Sequence, residues 1–376
     1  MWIEQRGWTA AQGWTGDDER REDAALVLYF AAPGVMAPDA LLASLRQRHG
    51  PAAAIVGCTT GGEINGADVL DDSIAVAAIG FHSSWVRVAA RDLADISDSR
   101  KVGDELAREL AGDGLRAIFI LSDGTRVNGD CLVAGCLEAV PADVVVTGGL
   151  AGDGPRFEST AVGCNDAMRP GRVAAIGLYG DKLAIGHGSF GGWDEFGPPR
   201  TITRSQSNIL FELDGEPALD LYKRYLGEEA QGLPGSALLF PLSIRPSRDV
   251  EGSEVVRTIV GIDEATKSMT FAGDVPAGYV ARLMRGNFDN LVDGAGKAAE
   301  AAATGKPCLA LLVSCIGRKL LMGQRIIEEV EIVADALGSQ ANLIGFYSYG
   351  EISPHGFTGK CELHNQTMTI TTISES

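Results

Sequence analysis

One order of elements occurs three times along the chain, and this repetition constrains the fold more than any other sequence feature. Each copy holds an apolar strand, a helix, a second apolar strand and a glycine-rich turn that ends in an acid. The three turns end at Gly62-Glu63, Gly152-Asp153 and Gly350-Glu351. Repetition of one supersecondary unit indicates internal duplication. The chain is therefore predicted to contain three βαβ units.

Short continuous apolar runs mark the strands, because a strand buried on both faces loses the alternation of apolar and polar residues. The runs that flank the three helices are 24–30, 53–56, 117–121, 143–146, 308–313 and 342–345. Alternating segments at Trp85–Ala89 and Leu183–Gly188 are predicted to pair antiparallel with their chain neighbours as hairpins. The expected fold class is α/β, a two-domain protein of repeated βαβ units with mixed sheets and added hairpins.

A domain boundary is predicted near residue 215. The polar, Gly/Pro-rich stretch Gly192–Thr203 is typical of a loop and comes shortly before it. The expected division is a loosely ordered lead-in at 1–23, an N-terminal domain at 24–214 and a C-terminal domain at 215–376. In the last of these, a long amphipathic helix or helix pair is predicted at about Ala277–Ala303.

Charge and cysteine usage narrow the class of function. The formal net charge is −18 and no long Lys/Arg tract occurs, which argues against nucleic acid and anionic membranes as partners. No apolar run approaches the roughly 20 residues of a membrane span. The apolar stretch near the N-terminus follows the acidic residues 17–23, where a signal peptide would need basic ones. Seven scattered cysteines without a CxxC pair predict a reduced, cytoplasmic protein.

The glycine-rich turns are the first candidates for a ligand site, since glycine allows close approach and turn amides can hold anions. No nucleotide-binding fingerprint accompanies them. The acids Glu63, Asp153 and Glu351 could converge on a ligand. Equally, they could cap helices or bind neighbouring amides, a frequent role of acids in turns.

Histidine spacing does not predict a dedicated zinc site, because neither HExxH nor HxH occurs among the five histidines. His355 and His364 lie near the third turn, beside Tyr347 and Tyr349. A single histidine or tyrosine can be an axial haem ligand. A structural role for each histidine is the alternative.

An enzyme is the rival class of protein. Cys58 lies in the first turn, where surrounding amides could lower the pKa of its thiol. Together with Glu63 or Glu351 it could serve a thiol- or carboxylate-dependent hydrolase or transferase. No partner histidine or aspartate is identifiable from the sequence, so this stays the weaker alternative.

Together the motifs resemble those of the FIST family (F-box and intracellular signal transduction). The motifs at 57–64 and 148–153 resemble its N-terminal domain. The segment Pro217–Gly227 and the motifs at 345–352 and 364–367 resemble its C-terminal domain. The motifs are Gly57-Cys58-Thr59-Thr60-Gly61-Gly62-Glu63-Ile64, Gly148-Gly149-Leu150-Ala151-Gly152-Asp153, Gly345-Phe346-Tyr347-Ser348-Tyr349-Gly350-Glu351-Ile352 and His364-Asn365-Gln366-Thr367.

The resemblance implies a sensory, ligand-binding protein of bacterial signal transduction. It suggests an amino acid or similar small metabolite as ligand, or haem with nitric oxide as in a stand-alone subgroup. The latter controls a histidine kinase or a cyclic-di-GMP enzyme. The candidate ligands of haem iron are His364, His187 and His355, and Tyr347 and Tyr349 are the less favoured candidates.

The leading hypothesis is a cytoplasmic sensor without catalysis of its own, with haem slightly preferred over a metabolite. A scaffold that binds only protein is a third interpretation. The residues expected to contact the ligand are Cys58, Thr59, Thr60, Gly62, Glu63, Gly149, Gly152, Asp153, Tyr347, Tyr349, Gly350, Glu351, His364 and Asn365.

Overall fold

The computed structural model describes residues 1–16, 21–246, 254–305, 308–356 and 358–376. Residues 17–20 of the acidic N-terminal stretch lie outside the described residues. Seven α-helices are described: α1 Pro38–His49, α2 Ser99–Leu110, α3 Gly129–Ala139, α4 Ala218–Leu226, α5 Phe288–Ala302, α6 Ile316–Met322 and α7 Ile327–Leu337.

The described strands form three six-stranded sheets and one eight-stranded sheet. The first thirteen strands are β1 Trp2–Thr9, β2 Gly13–Trp14, β3 Leu26–Ala31, β4 Ala54–Thr59, β5 Glu63–Asn65, β6 Asp68–Leu70, β7 Ser73–Gly80, β8 Trp85–Asp92, β9 Leu115–Ser122, β10 Val145–Leu150, β11 Val162–Cys164, β12 Arg172–Tyr179 and β13 Leu183–Phe190. The others are β14 Trp193–Gln206, β15 Ile209–Leu213, β16 Glu216–Pro217, β17 Leu242–Arg245, β18 Val255–Arg257, β19 Ile259–Asp263, β20 Ser268–Phe271, β21 Val280–Gly286, β22 Leu309–Cys315, β23 Asn342–Ser348, β24 Gly350–Pro354, β25 Cys361–His364 and β26 Met368–Glu375.

Three equivalent units make up the body of the molecule, and the mixed α/β class is confirmed. In each unit a helical crossover joins two parallel strands: β3 to β4, β9 to β10 and β22 to β23. A third strand lies antiparallel to the first of each pair: β7, β12 and β26. A fourth follows outside it: β1, β8 and β13.

The units exchange strands in a ring. After its glycine-rich turn, each unit sends a short strand to another unit. Strand β5 pairs with β23, β11 pairs with β4, and β24 pairs with β10. The strand pairing therefore crosses residue 215 and joins the two halves of the chain.

A glycine occupies the same place in the second parallel strand of each unit. A Cβ atom on Gly57, Gly148 or Gly345 would collide with the backbone carbonyl of the paired residue in the first strand. Only glycine allows this close strand contact. The shared constraint is a structural reason for the glycine at the start of each recurring motif.

The inner faces of the three sheets share one apolar core. Phe30 of β3 stacks on Phe346 of β23 with ring centroids 4.7 Å apart. Leu121 of β9 and Val313 of β22 belong to the same cluster. Helices cover the outer faces, which explains why the strands are apolar on both sides.

Four local expectations were wrong. The predicted lead-in contains β1, which pairs with β7 along its whole length. The predicted hairpins do not form: the strand at Trp85 pairs with β12, and the strand at Leu183 pairs with β26.

The other two errors lie in the insertion between β13 and α5. The stretch expected to be a loop is the long strand β14, which pairs with β21. The helix expected from residue 277 begins only at Phe288, because Val280–Gly286 forms β21. These strands belong to the eight-stranded sheet.

Within the described ranges, every helix is too short or too polar to cross a membrane.

Candidate functional site

The three glycine-rich turns meet at one point of the fold. Gly61 N donates to Tyr347 O (2.7 Å) and Gly152 N donates to Thr59 O (3.0 Å). Tyr349 N donates to Leu150 O (3.1 Å) and closes the ring. A Cβ atom on Gly152 would lie 3.0 Å from Gly61 N and 3.1 Å from Tyr347 O. The turns predicted from the sequence are therefore in direct backbone contact.

A cleft of about 440 Å³, termed the polar cleft, opens beside this junction. Residues that follow β3, β4, β10 and β22 line it, including Pro33, Gly61, Gly154 and Ile316. Ligands of α/β proteins bind preferentially outside the carboxyl ends of strands. The polar cleft lies at such ends in all three units.

Four charged side chains line the polar cleft: Lys319, Arg156, Asp71 and Asp72. Lys319 Nζ donates to Gly61 O (2.9 Å) and forms an ion pair with Asp71. Because an ammonium group has three donors, one remains for a ligand. Arg156 is half-exposed, with Nε 3.9 Å from a carboxylate oxygen of Asp153. The polar cleft thus offers both signs of charge to a small molecule.

Glu63 lies behind the turn rather than in the polar cleft lining. Its fully buried carboxylate accepts hydrogen bonds from Ser73 Oγ (2.6 Å), Ser73 N (3.2 Å) and the Thr60 hydroxyl. Burial raises the pKa of Glu63 to about 7, although these hydrogen bonds oppose the shift. Thr60 and Gly62 do line the polar cleft.

Glu351 has an equivalent environment in the third unit. Its buried carboxylate accepts from Ser348 Oγ (2.6 Å), Thr367 Oγ1 (3.0 Å) and Thr367 N (3.2 Å). Burial raises its pKa to about 8, against the effect of these bonds. Both glutamates bind neighbouring hydroxyl and amide groups, which is the alternative role considered above. Their contact with a ligand stays a prediction.

Asp153 organises the segment that follows the second turn. Its carboxylate accepts from the backbone amides of Phe157 (2.9 Å), Glu158 (3.1 Å) and Ser159 (3.0 Å). The Tyr349 hydroxyl also donates to it. The acid therefore holds residues 154–159 against the third turn.

Other predicted ligand residues have structural neighbours. Thr59 Oγ1 accepts from Ala161 N (2.9 Å), and Asn365 Oδ1 accepts from Thr258 N (3.3 Å). A Cβ atom on Gly149 would lie 2.5 Å from Val313, and one on Gly350 would lie 3.0 Å from Leu363. These contacts explain the glycines by packing.

Cys58 lies fully buried in the central core. Burial raises the pKa of its thiol well above the ordinary value, with Glu63 adding to the rise. A nucleophilic cysteine needs the thiolate form and access to substrate. The environment of Cys58 provides neither.

Two of the three candidate histidines, His364 and His355, have surroundings that do not fit a haem ligand. Nε2 of the buried His364 is bonded to Ser353 O (3.0 Å), and burial lowers its pKa to about 3. His355 Nε2 contacts Glu254 O (3.2 Å). His187 is partly buried on β13, and none of the three lines the polar cleft. Tyr347 donates its hydroxyl to Glu329 Oε1 (2.9 Å).

Metal ligation has no other support here: the described residues contain no group of three or more His, Cys, Asp or Glu residues that could hold a metal ion.

Sequence reasoning missed the residues that bring charge to this site. Lys319 follows Arg318, whose buried guanidinium pairs with Glu329 at 2.8 Å. Glu329 also accepts from Tyr347, so this ion pair supports the third turn. The signal was a Gly-Arg-Lys sequence at 317–319, directly after an apolar strand. A basic pair at a strand's carboxyl end points to an anion or a buried acid.

The fold and the cleft define a class of protein: a mixed α/β protein of three strand-exchanged units, with a cleft at the carboxyl ends of their strands. The FIST N domain model matches residues 25–216 and the FIST C domain model matches residues 218–354, so the chain belongs to the FIST family. FIST domains are small-ligand sensory domains of signalling proteins.

No curated protein sequence matches the chain. A crystal structure of cyanuric acid hydrolase from A. caulinodans is 9% identical and matches at a TM-score of 0.34. That match covers 100% of this chain and 98% of the hydrolase, but so low a score carries no argument.

Proposed function

We propose that this FIST protein senses a small metabolite with both a carboxylate and an ammonium group, such as an amino acid, in the polar cleft. A separate signalling protein, such as a histidine kinase or a cyclic-di-GMP enzyme, would read the bound state. The observation that carries the proposal is the cleft itself, where residues of all three units surround Lys319, Arg156, Asp71 and Asp72.

The size of the polar cleft supports a small ligand. Its volume of about 440 Å³ lies within the usual range of small-molecule sites. Backbone from the turns also lines it, so a ligand would touch parts of more than one unit.

The charges suggest how such a ligand would be oriented. Its carboxylate would take the remaining donor of Lys319 and the half-exposed Arg156 guanidinium. Its ammonium group would face Asp71 or Asp72. The side chain of Lys319 is 13% exposed, so solvent screens a new ion pair there less than at an open surface.

Signalling follows from the ring of contacts between the turns. A ligand that binds one arrangement of the three turns better than another shifts their populations. The short strand after each turn is hydrogen-bonded to a strand of another unit, so a movement of one turn is expected to displace an edge strand of another sheet. No catalytic step is part of the proposal, and the buried Cys58 supports leaving the enzyme alternative aside. All seven cysteines are free, which supports the reducing cytoplasm as its compartment.

Binding of amino acids, measured one at a time by calorimetry, tests the proposal. Lys319→Met is expected to weaken the binding of the tightest-binding amino acid about tenfold or more, because it removes a charge-assisted hydrogen bond to the ligand. Lys297→Met, a change of an exposed lysine on α5, is the matched control. Unchanged affinity in Lys319→Met, or no binding of any amino acid, would contradict the proposal.

Haem with nitric oxide is the second candidate, and it rests on the family resemblance alone. A haemin titration followed by absorption spectroscopy distinguishes the two. A saturable Soret band that shifts with nitric oxide and is lost in His187→Ala would favour haem. His187 is chosen because a ring nitrogen of His355 and of His364 already contacts a backbone carbonyl oxygen.

A further inference from the structure

A second cleft, termed the apolar cleft, lies between the second unit and the eight-stranded sheet. Its volume is about 310 Å³, and Leu150, Phe157, Tyr349, Val260 and Phe271 are among its lining residues. Val260 belongs to β19 and Phe271 to β20 of the inserted sheet. The apolar cleft thus brings two glycine-rich turns against the insertion.

The chemistry of this cleft differs from that of the polar cleft. No charged residue is among the described residues that line it, and its polar lining side chains, Thr125, Asn208 and Thr270, are neutral. Phe157 and Tyr349 stack at its wall, with ring centroids 4.2 Å apart and an angle of 12° between the planes. The lining residue Val260 remains 37% exposed although it is apolar. An ionised ligand would lose its hydration here without a compensating charge.

We infer that the apolar cleft binds a neutral, flat aromatic molecule of two or three rings. The stacked pair offers an aromatic surface, and the volume suits a small molecule rather than a protein segment. This inference does not depend on which ligand occupies the polar cleft.

The two clefts share one wall. Gly154, Pro155 and Arg156 line the polar cleft, and the next residue, Phe157, lines the apolar cleft. Asp153 anchors this segment through the amide of Phe157 and the hydroxyl of Tyr349. A ligand in the apolar cleft is therefore expected to restrain residues 154–156 on the other side.

Equilibrium dialysis with 2-naphthol and 2-naphthoate tests the site, because the two probes share a ring system and differ in charge. One equivalent of 2-naphthol is expected to bind, with 2-naphthoate at least about tenfold weaker. Equal affinities, or no saturable binding of 2-naphthol, would overturn the inference.

Variants locate the binding. Phe157→Leu, which keeps an apolar side chain but removes the ring, is expected to weaken 2-naphthol about fivefold. Val260→Glu places a charge at an exposed lining position and is expected to weaken it about tenfold. Phe288→Leu, at an exposed phenylalanine of α5, is the matched control. A loss in the control equal to that in Phe157→Leu would overturn the assignment to this cleft.

Hydrogen exchange tests the shared wall separately. With 2-naphthol bound, the amides of Gly154 and Arg156 are expected to exchange more slowly than in the free protein. Unaltered exchange at both amides would overturn the coupling between the clefts. Failure of amino acid binding in wild type, with 2-naphthol binding intact, would reject only the function proposed for the polar cleft.

Discussion

Replacement of Glu63 by glutamine should change how the stability of this protein depends on pH. The carboxyl group is fully buried, and burial raises its pKa from 4.5 to about 7. Below pH 4.5 the group is protonated in both folded and unfolded chains, so it has no effect on their balance. As the pH rises above 4.5, the unfolded chain loses the proton first, and the folded state becomes less favourable.

The size of the effect follows from the shift. At 1.36 kcal/mol per pKa unit, the rise of the Glu63 pKa to about 7 lowers the free energy of unfolding by about 3 kcal/mol between pH 4.5 and 8. Glutamine resembles the protonated acid: its oxygen can accept from Ser73, and its amide can donate to the Thr60 hydroxyl. The free energy of unfolding of Glu63→Gln should therefore rise by about 3 kcal/mol relative to that of the wild type across this pH range.

Urea unfolding of both proteins at several pH values measures the difference. Because other groups titrate alike in the two proteins, only the difference between variant and wild type is interpreted. Glu331→Gln, on an exposed position of α7, controls for the lost negative charge. A difference that stays constant from pH 4.5 to 8 would show that Glu63 does not titrate with a raised pKa.

Two further predictions concern the support of the site. Arg318→Met should destabilise the fold by about 3–5 kcal/mol, because it leaves the buried Glu329 carboxylate without its ion-pair partner. Arg100→Met, which breaks an exposed pair, should cost at most about 1 kcal/mol in the same denaturation assay. Gly152→Ala should cost about 1–3 kcal/mol, since the added Cβ would crowd backbone atoms of the other two turns. Thermal unfolding of the variant checks this, and a melting temperature equal to wild type would contradict it.

Much of the local structure could be predicted from the sequence. The six apolar runs of the βαβ units all overlap strands. Such patterns are readable because burial on two sides selects apolar residues whatever their partners are.

Strand partners could not be predicted. The alternating segment at Trp85 has the pattern of a hairpin strand, but it pairs with β12, about 90 residues further along the chain. Periodicity indicates that one face of a segment is buried, but it does not indicate which neighbouring strand forms the backbone hydrogen bonds.

The candidate site shows the same division. The sequence by itself determined that three glycine-rich turns recur and that each carries an acid. Only the tertiary structure decided that the turns touch and that Glu63 and Glu351 bind their own neighbours. It also brought Lys319, Arg156 and Asp71, from three distant parts of the chain, to one cleft. The physical reason is that a sequence motif reflects the local conformation of the backbone, whereas a binding surface depends on how whole units exchange strands and pack against one another.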